Sequence, residues 1–174
     1  MSLLKQIRKD PQYATFLRIL ETTRKNLDTE TATAEAKALH ASRTSRSLSG
    51  KDRYSSKSLI DANLRDLSTR ARLVEIRVTN DRKLSHLKEA AEALKKYVST
   101  EYVDELKSDF STAGQRSDFV DRVLKSANAL LAEGESLLSV LDFLIKDIDQ
   151  ASHSMRHVVD CLKLLENKHG SKAI

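Results

Sequence analysis

The histidines and the single cysteine are the side chains of this sequence best suited to metal or nucleophilic chemistry. His153 and His157 are four residues apart, so in a helix they share one face at the spacing of a two-histidine metal clasp. The residues between them include no glutamate to serve as a catalytic base, and Arg156 beside the pair opposes a cation. Cys161 follows one turn later beside apolar positions, where a small buried thiol is commoner than a nucleophile. The sequence therefore predicts no metal site and no catalytic cysteine.

Other catalytic motifs are missing from the sequence as well. Its glycines are scattered at Gly50, Gly114, Gly134 and Gly170, so they form neither a phosphate-binding loop nor a dinucleotide fingerprint. There is no CxxC pair and no acidic calcium loop. Enzymes often aim their reactive groups from irregular loops, and this chain has few segments that read as loops. We expect a protein that is not an enzyme, with no cofactor and no small-molecule substrate.

The composition indicates a helical protein. Only 4 Gly and 1 Pro occur in 174 residues, too few for the turns of a β-sandwich or barrel, while 32% of the residues are charged. The longest apolar run, residues 129–132, is far shorter than the roughly 20 residues of a membrane helix. One cysteine cannot form an internal disulfide, and the N-terminal residues contain no apolar core of signal-peptide length. These features predict no membrane span and an intracellular, cytoplasmic location, or a nuclear one in a eukaryote.

Hydrophobic spacing predicts a single all-α domain over residues 1–174, an elongated helical bundle or coiled coil with two very long helices. Three helix starts carry capping signals: Asp10 before Pro11, Ser58 with Asp61 at the start of the helix over 59–98, and a capping box from Thr112 to Gln115. The predicted elements are a short helix (2–9), a helix (11–41), a basic Ser/Arg-rich flexible loop (42–58), a long heptad helix (59–98), a short helix (101–111), a second long heptad helix (117–167) and a tail (168–174).

The helix over 59–98 contains two runs of apolar residues at spacings of three and four. Such spacing is typical of a coiled-coil seam. A step of six residues, from Val78 to Leu84, joins the runs, and a shortened step of this kind locally overwinds a coiled coil. We expect one seam with a bend or loosening at this joint. The first run is Ile60, Leu64, Leu67, Ala71, Val74 and Val78, and the second is Leu84, Leu87, Ala91, Leu94 and Val98.

The helix over 117–167 has the clearest heptad pattern in the chain. Its apolar stripe is wider than a two-stranded seam requires, which favours contacts with more than one helix. We expect this stripe to bind partner helices, which makes the protein a structural or adaptor subunit of a homo-oligomer or larger complex. The predicted protein interface comprises Val120, Leu124, Leu131, Leu138, Leu141, Ile145, Ile148, Met155, Val159 and Leu162.

Charge is distributed unevenly along the chain. Residues 1–99 contain 21 Lys and Arg against 12 Asp and Glu, whereas residues 100–174 contain 9 against 13. Basic residues flank the first long helix's seam and acidic residues flank the last helix's core, so the two helices should pair. The pairing could form an antiparallel hairpin within one chain or join two chains. The basic set is Arg65, Arg70, Arg72 and Arg77, and the acidic set is Asp121, Glu135, Asp142 and Asp149.

The basic loop suggests an alternative function. Its cations could hold phosphates, and its tyrosine could stack on an unpaired base. The alternative is a nucleic-acid-binding accessory protein, specific for single-stranded DNA or RNA but not for sequence. The same segment is also compatible with a plain linker, or with phosphorylation at the Arg-x-x-Ser patterns 46–49 and 53–56. The candidate nucleic-acid-binding residues are Arg43, Arg46, Lys51, Arg53, Tyr54 and Lys57.

Overall fold

The computed structural model describes residues 2–43 and 56–170, and all regular secondary structure within them is helical. The predicted all-α class is confirmed. The helices are α1 (Leu3–Ile7), α2 (Pro11–Asn26), α3 (Thr29–Ala41), α4 (Ser56–Glu101), α5 (Val103–Asp109), α6 (Ala113–Val123) and α7 (Lys125–Gly170).

Two of the predicted capping signals are present in the structure, whereas the predicted cap at Ser58 is wrong because α4 already begins at Ser56. The Asp10 carboxylate accepts a hydrogen bond from the backbone N–H of Gln12 at 2.8 Å, and Pro11 opens α2. At the start of α6, Thr112 Oγ1 accepts from the backbone N–H of Gln115 at 3.2 Å. The Gln115 side chain accepts in return from the backbone N–H of Thr112. These side chains satisfy amides that have no partner in the first turn of a helix.

The segment over 11–41, predicted as one helix, forms α2 and α3 with a break at Leu27 and Asp28. Leu27 adopts an extended backbone and buries its side chain. Asp28 then accepts a hydrogen bond from the backbone N–H of Thr31 at 2.9 Å, which supports the first turn of α3. The break contains no glycine or proline, so helical periodicity alone does not indicate it.

The segment over 117–167 also differs from its predicted bounds. Leu124, with φ −89° and ψ 0°, separates α6 from α7, and α6 starts earlier, at Ala113. The helix predicted over 59–98 extends at both ends as α4. Residues 44–55 of the predicted loop and residues 171–174 of the predicted tail lie outside the described residues.

The chain, predicted as a single domain, divides into two compact units. Unit one contains Met1–Thr31 and Val78–Leu138, and unit two contains Ala32–Arg77 and Ser139–Ile174. Helices α4 and α7 contribute residues to both units. Each unit is described by itself below.

In unit one, a hydrogen-bonded cluster ties the start of α2 to the end of α4. The hydroxyls of Tyr97 and Tyr102 both donate to Asp10 Oδ2, at 2.9 and 3.0 Å. Burial and the bond to Asp10 raise the pKa of Tyr102 to about 12. Burial alone would raise the pKa of the Asp10 carboxyl, but its bonds from Gln12 and the two tyrosines outweigh this effect and lower it. Asp10 therefore caps α2 and also anchors it to the core.

Gly134 of α7 allows a close approach to α4 within unit one. A Cβ atom at this position would lie 2.3 Å from Leu84 Cδ2 and 2.9 Å from Leu84 Cγ. Leu84 is itself buried, with 5% of its surface exposed, so it has little room to move away. Gly134 is therefore explained by packing, although glycine is a poor helix former.

We expect Gly134→Ala to destabilise the protein by up to about 2 kcal/mol. Alanine gains about 1 kcal/mol of helix propensity, but overpacking a filled core costs about 1–3 kcal/mol and leaves a net loss when Leu84 cannot repack. Urea unfolding followed by circular dichroism measures the change. Gly114→Ala is the matched control, because only Thr112 Oγ1 lies near the added Cβ, at 3.9 Å. A stabilised Gly134→Ala variant would contradict this packing.

In unit two, ion pairs join α4 to its neighbours. Arg70 donates through Nε and Nη2 to Asp149 of α7, at 2.6 and 3.2 Å. Arg77 makes the same two-bond contact with Asp142, which lies two helical turns before Asp149 in α7. Because residue numbers rise along α4 as they fall along α7, the two helices are antiparallel here. The predicted pairing of basic and acidic helices thus occurs within one chain.

The apolar core of unit two lies on one face of each helix. The helix α3 contributes Ala36, and α4 contributes Leu73 and Ile76. The helix α7 contributes Leu141, Leu144 and Ile148, and both Leu141 and Ile148 are 0% exposed. A contact between Arg72 and Glu35, at 2.8 Å, links α4 to α3 at the surface.

Candidate interaction surface

The two apolar runs of α4 lie on different faces of the helix. All five residues of the second run, from Leu84 to Val98, belong to the buried core of unit one. In unit two, by contrast, α4 buries Asp66, Leu73 and Ile76. At 3.6 residues per turn, this buried face points about 150° away from the first run. The six-residue step therefore moves the apolar residues to a different face of α4. The prediction of one seam with a bend or loosening at this joint is wrong.

We call Leu64, Leu67, Ala71 and Val74 the α4 stripe. Leu64 is 58% exposed and Leu67 is 51% exposed. Ala71 is exposed and Val74 is half-buried. Val78, next in the spacing, is also exposed, whereas the side chain of Ile60 lies outside the described residues. An isolated exposed leucine needs no explanation, but a run at heptad spacing is the pattern that coiled coils bury.

The two edges of the α4 stripe carry opposite charge. In heptad notation, Leu64 and Ala71 are a positions, and Leu67 and Val74 are d positions. The g edge then contains Asn63 and the basic residues Arg70 and Arg77. The e edge contains Ser68 and the acidic residues Asp61 and Glu75. The stripe therefore resembles one half of a coiled-coil interface, with a basic edge and an acidic edge.

The predicted interface on the last helix is placed differently. Val120, Leu124, Leu141 and Ile148 are each at most 4% exposed, so the chain itself covers them. Four others are half-buried: Leu131, Leu138, Ile145 and Met155. The side chains of Val159 and Leu162 lie outside the described residues. The wide apolar stripe of α7 therefore supplies core to its own chain.

Arg43, the first candidate nucleic-acid-binding residue, is held in an internal ion-pair network. Its side chain is 8% exposed, and its Nε donates to Asp66 Oδ1 at 2.7 Å, where Asp66 is 1% exposed. Its Nη1 donates to Asp147 Oδ2 at 3.0 Å. His40 Nε2 contacts the same oxygen at 2.8 Å. The bonds from His40 and then Arg43 lower the pKa of the Asp147 carboxyl.

This arrangement makes Arg43 a structural residue, because its guanidinium is not presented to a ligand. Arg46, Lys51, Arg53 and Tyr54 lie outside the described residues, and nothing is described for the side chain of Lys57. Nucleic-acid binding by these residues stays a prediction. Sequence reasoning missed the role of Arg43 because its partners are 23 and 104 residues away.

His153 and His157 lie side by side on α7. Their Nε2 atoms are 3.1 Å apart, and their rings meet edge to face. Cys161 is exposed, unlike the buried thiol that we expected. Within residues 2–43 and 56–170, no group of three or more His, Cys, Asp or Glu side chains is placed to hold a metal ion.

Unit one also contains a groove. It has a volume of about 600 Å³ between α2 and α4, and its lining residues include Arg18, Thr22 and His86, although most of the surface exposed in it is apolar. Lys83 Nζ crosses it to donate to the carbonyl of Asn26 at 2.8 Å. The groove is open to solvent, so it does not resemble the enclosed pocket of a small-molecule site.

No helix in the described part of the chain is both long enough and apolar enough to cross a membrane. Comparison with known proteins found no matching protein-family model, no matching curated protein and no matching solved structure.

Proposed function

We propose that this protein is a non-enzymatic helical interaction protein, an adaptor or structural subunit that joins another helical chain through the α4 stripe. The helix α4 would act as one strand of a coiled coil, while α7 keeps it in place from within the chain. We predicted the docking role for the last helix from its sequence, and we now assign it to α4 instead.

The exposure of Leu64 and Leu67 carries the proposal. Each has more than half of its surface in solvent, and both follow the spacing that a partner helix would cover. Burying one leucine side chain is worth about 1.5–3 kcal/mol, so leaving both in water forgoes a large favourable term. The charged edges beside the stripe would then select the partner and its direction.

We expect Leu64→Glu with Leu67→Glu to abolish association without unfolding the chain. Both side chains are largely in solvent, so charge is tolerated in the free chain but would be buried against a partner helix. Association is measured by sedimentation velocity of the full chain, alone and with each partner identified by cross-linking and mass spectrometry. Circular dichroism and urea unfolding report whether the fold is retained.

Ser85→Glu with Ser99→Glu is the matched control. Both serines are exposed on α4 and lie outside the stripe, so this variant adds the same charge to the same helix. The control should associate as the unmodified chain does. If the stripe variant and the control behave alike in every assembly, α4 is not the docking surface and the proposal is wrong.

A further inference from the structure

We propose that the occupant of the α4 stripe is a second copy of this chain, with the two α4 helices parallel and in register. This inference rests on the proposed function and deepens it by naming the partner. It is carried by the charges along the two edges of the stripe, which differ in sign.

A parallel pairing matches these edges. In parallel two-stranded coiled coils, a g residue meets the e residue five positions later on the other chain. Arg70 of one copy then meets Glu75 of the other, and the contact forms twice. An antiparallel pairing instead sets e against e and g against g, which brings Asp61 and Glu75 together on one side and arginines on the other. The charge match ends at the next pair, because Arg77 would face Arg82.

The side chains retain the hydrogen-bonding capacity that this contact needs. Arg70 uses Nε and Nη2 to hold Asp149, which leaves its Nη1 donors for a second acceptor. A guanidinium has five N–H donors, so Arg70 can keep Asp149 and still donate to a second carboxylate. Glu75 accepts through Oε2 from Arg72, which leaves its other oxygen for Arg70 of the second copy.

The apolar layers are also self-complementary in this register. Leu64, Leu67 and Val74 would each meet their own copy across the two-fold axis, as a and d residues do in parallel dimers. Ala71 would meet Ala71, and its small side chain lets the two helices come close at the centre. The stripe from Leu64 to Val74 is about 15 Å long at 1.5 Å per residue, which is a small interface. The dimer should therefore dissociate on dilution.

Disulfide trapping tests the partner and the direction together. The native exposed thiol is first removed by Cys161→Ser, and Leu64→Cys is then introduced at the a position. In the parallel register the two new thiols face each other at a distance that suits a disulfide. We expect a covalent dimer under mild oxidation, and we expect it to outnumber the dimer formed by a Ser85→Cys control at least tenfold.

Two other results would overturn the inference. A cross-link that forms only when Leu64→Cys chains are mixed with Val74→Cys chains would show an antiparallel pairing. No cross-link, together with one monomer mass from low to high micromolar concentration, would show that the second copy is not the occupant. The proposed function would survive the latter result if Leu64→Glu with Leu67→Glu still disrupted assembly with a different protein.

A charge variant tests the edge contact separately. In a dimer of Glu75→Arg chains, each introduced arginine would lie opposite Arg70 of the other copy. Two repulsive contacts would replace the two attractive ones, so dimerisation should weaken at least tenfold. Glu92→Arg, an equal charge change at an exposed position of α4 outside the stripe, should not weaken it. Equal dimerisation of the two variants would rule out the parallel charge match.

Discussion

Replacing Arg43 with alanine is expected to lower the free energy of unfolding by about 3 to 5 kcal/mol. Arg43 is buried and donates to Asp66, which is 1% exposed. Removing the guanidinium takes a compensating positive charge away from a buried carboxylate, and such a loss is among the most costly single changes. Urea unfolding monitored by circular dichroism measures the effect.

Arg72→Ala is the matched control for this prediction. Arg72 also pairs with two carboxylates in unit two, those of Glu35 and Glu75, but its side chain is 47% exposed. Exposed pairs contribute about 0–1 kcal/mol, so we expect a loss below about 1 kcal/mol. A double variant, Arg43→Met with Asp66→Leu, should recover much of the loss, because it removes both buried charges. If Arg43→Ala were as mild as Arg72→Ala, the internal ion pair would be refuted.

Replacing Leu141 with alanine is expected to cost about 3 to 5 kcal/mol of unfolding free energy. Leu141 is 0% exposed within unit two, and truncation of a fully buried leucine removes apolar burial and leaves a cavity. The substitution should act on a single chain, so its effect should not depend on protein concentration. Thermal and urea unfolding at two concentrations test both points.

Phe143→Ala provides the contrast two residues away. Phe143 is 69% exposed, so removing its ring should change stability by less than about 0.5 kcal/mol. A difference between Leu141→Ala and the unmodified chain that changes with protein concentration would instead restore the predicted interface on the last helix. A large loss of unfolding free energy in Phe143→Ala would show that another molecule covers the Phe143 ring in solution.

Local chemistry determined much of this fold directly from the sequence. The scarcity of glycine and proline, together with three-four apolar spacing, predicted an all-α chain. Short-range signals placed the starts of α2 and α6, because Asp10, Thr112 and Gln115 bond to backbone amides within three residues. Charge patterning predicted that a basic helix would pair with an acidic one, and contacts such as Arg70 with Asp149 bear this out.

Only the tertiary structure decided which apolar residues form the core. Leu64 and Leu84 belong to runs with the same three-four spacing, yet Leu64 is 58% exposed and Leu84 is 5% exposed. Spacing defines which residues share a face of α4, but contacts with distant helices determine whether that face is covered. Gly134 of α7 receives Leu84, whereas nothing in the described chain covers the α4 stripe to the same degree.

Arg43 illustrates the same limit for charge. A serine- and arginine-rich neighbourhood favours a solvated or phosphate-binding arginine, so the sequence predicted that Arg43 would be one. Its burial follows from Asp66 and Asp147, which the fold brings to it from α4 and α7. Burial and long-range pairing depend on contacts between residues that are distant in the chain. Periodicity and composition do not predict those contacts.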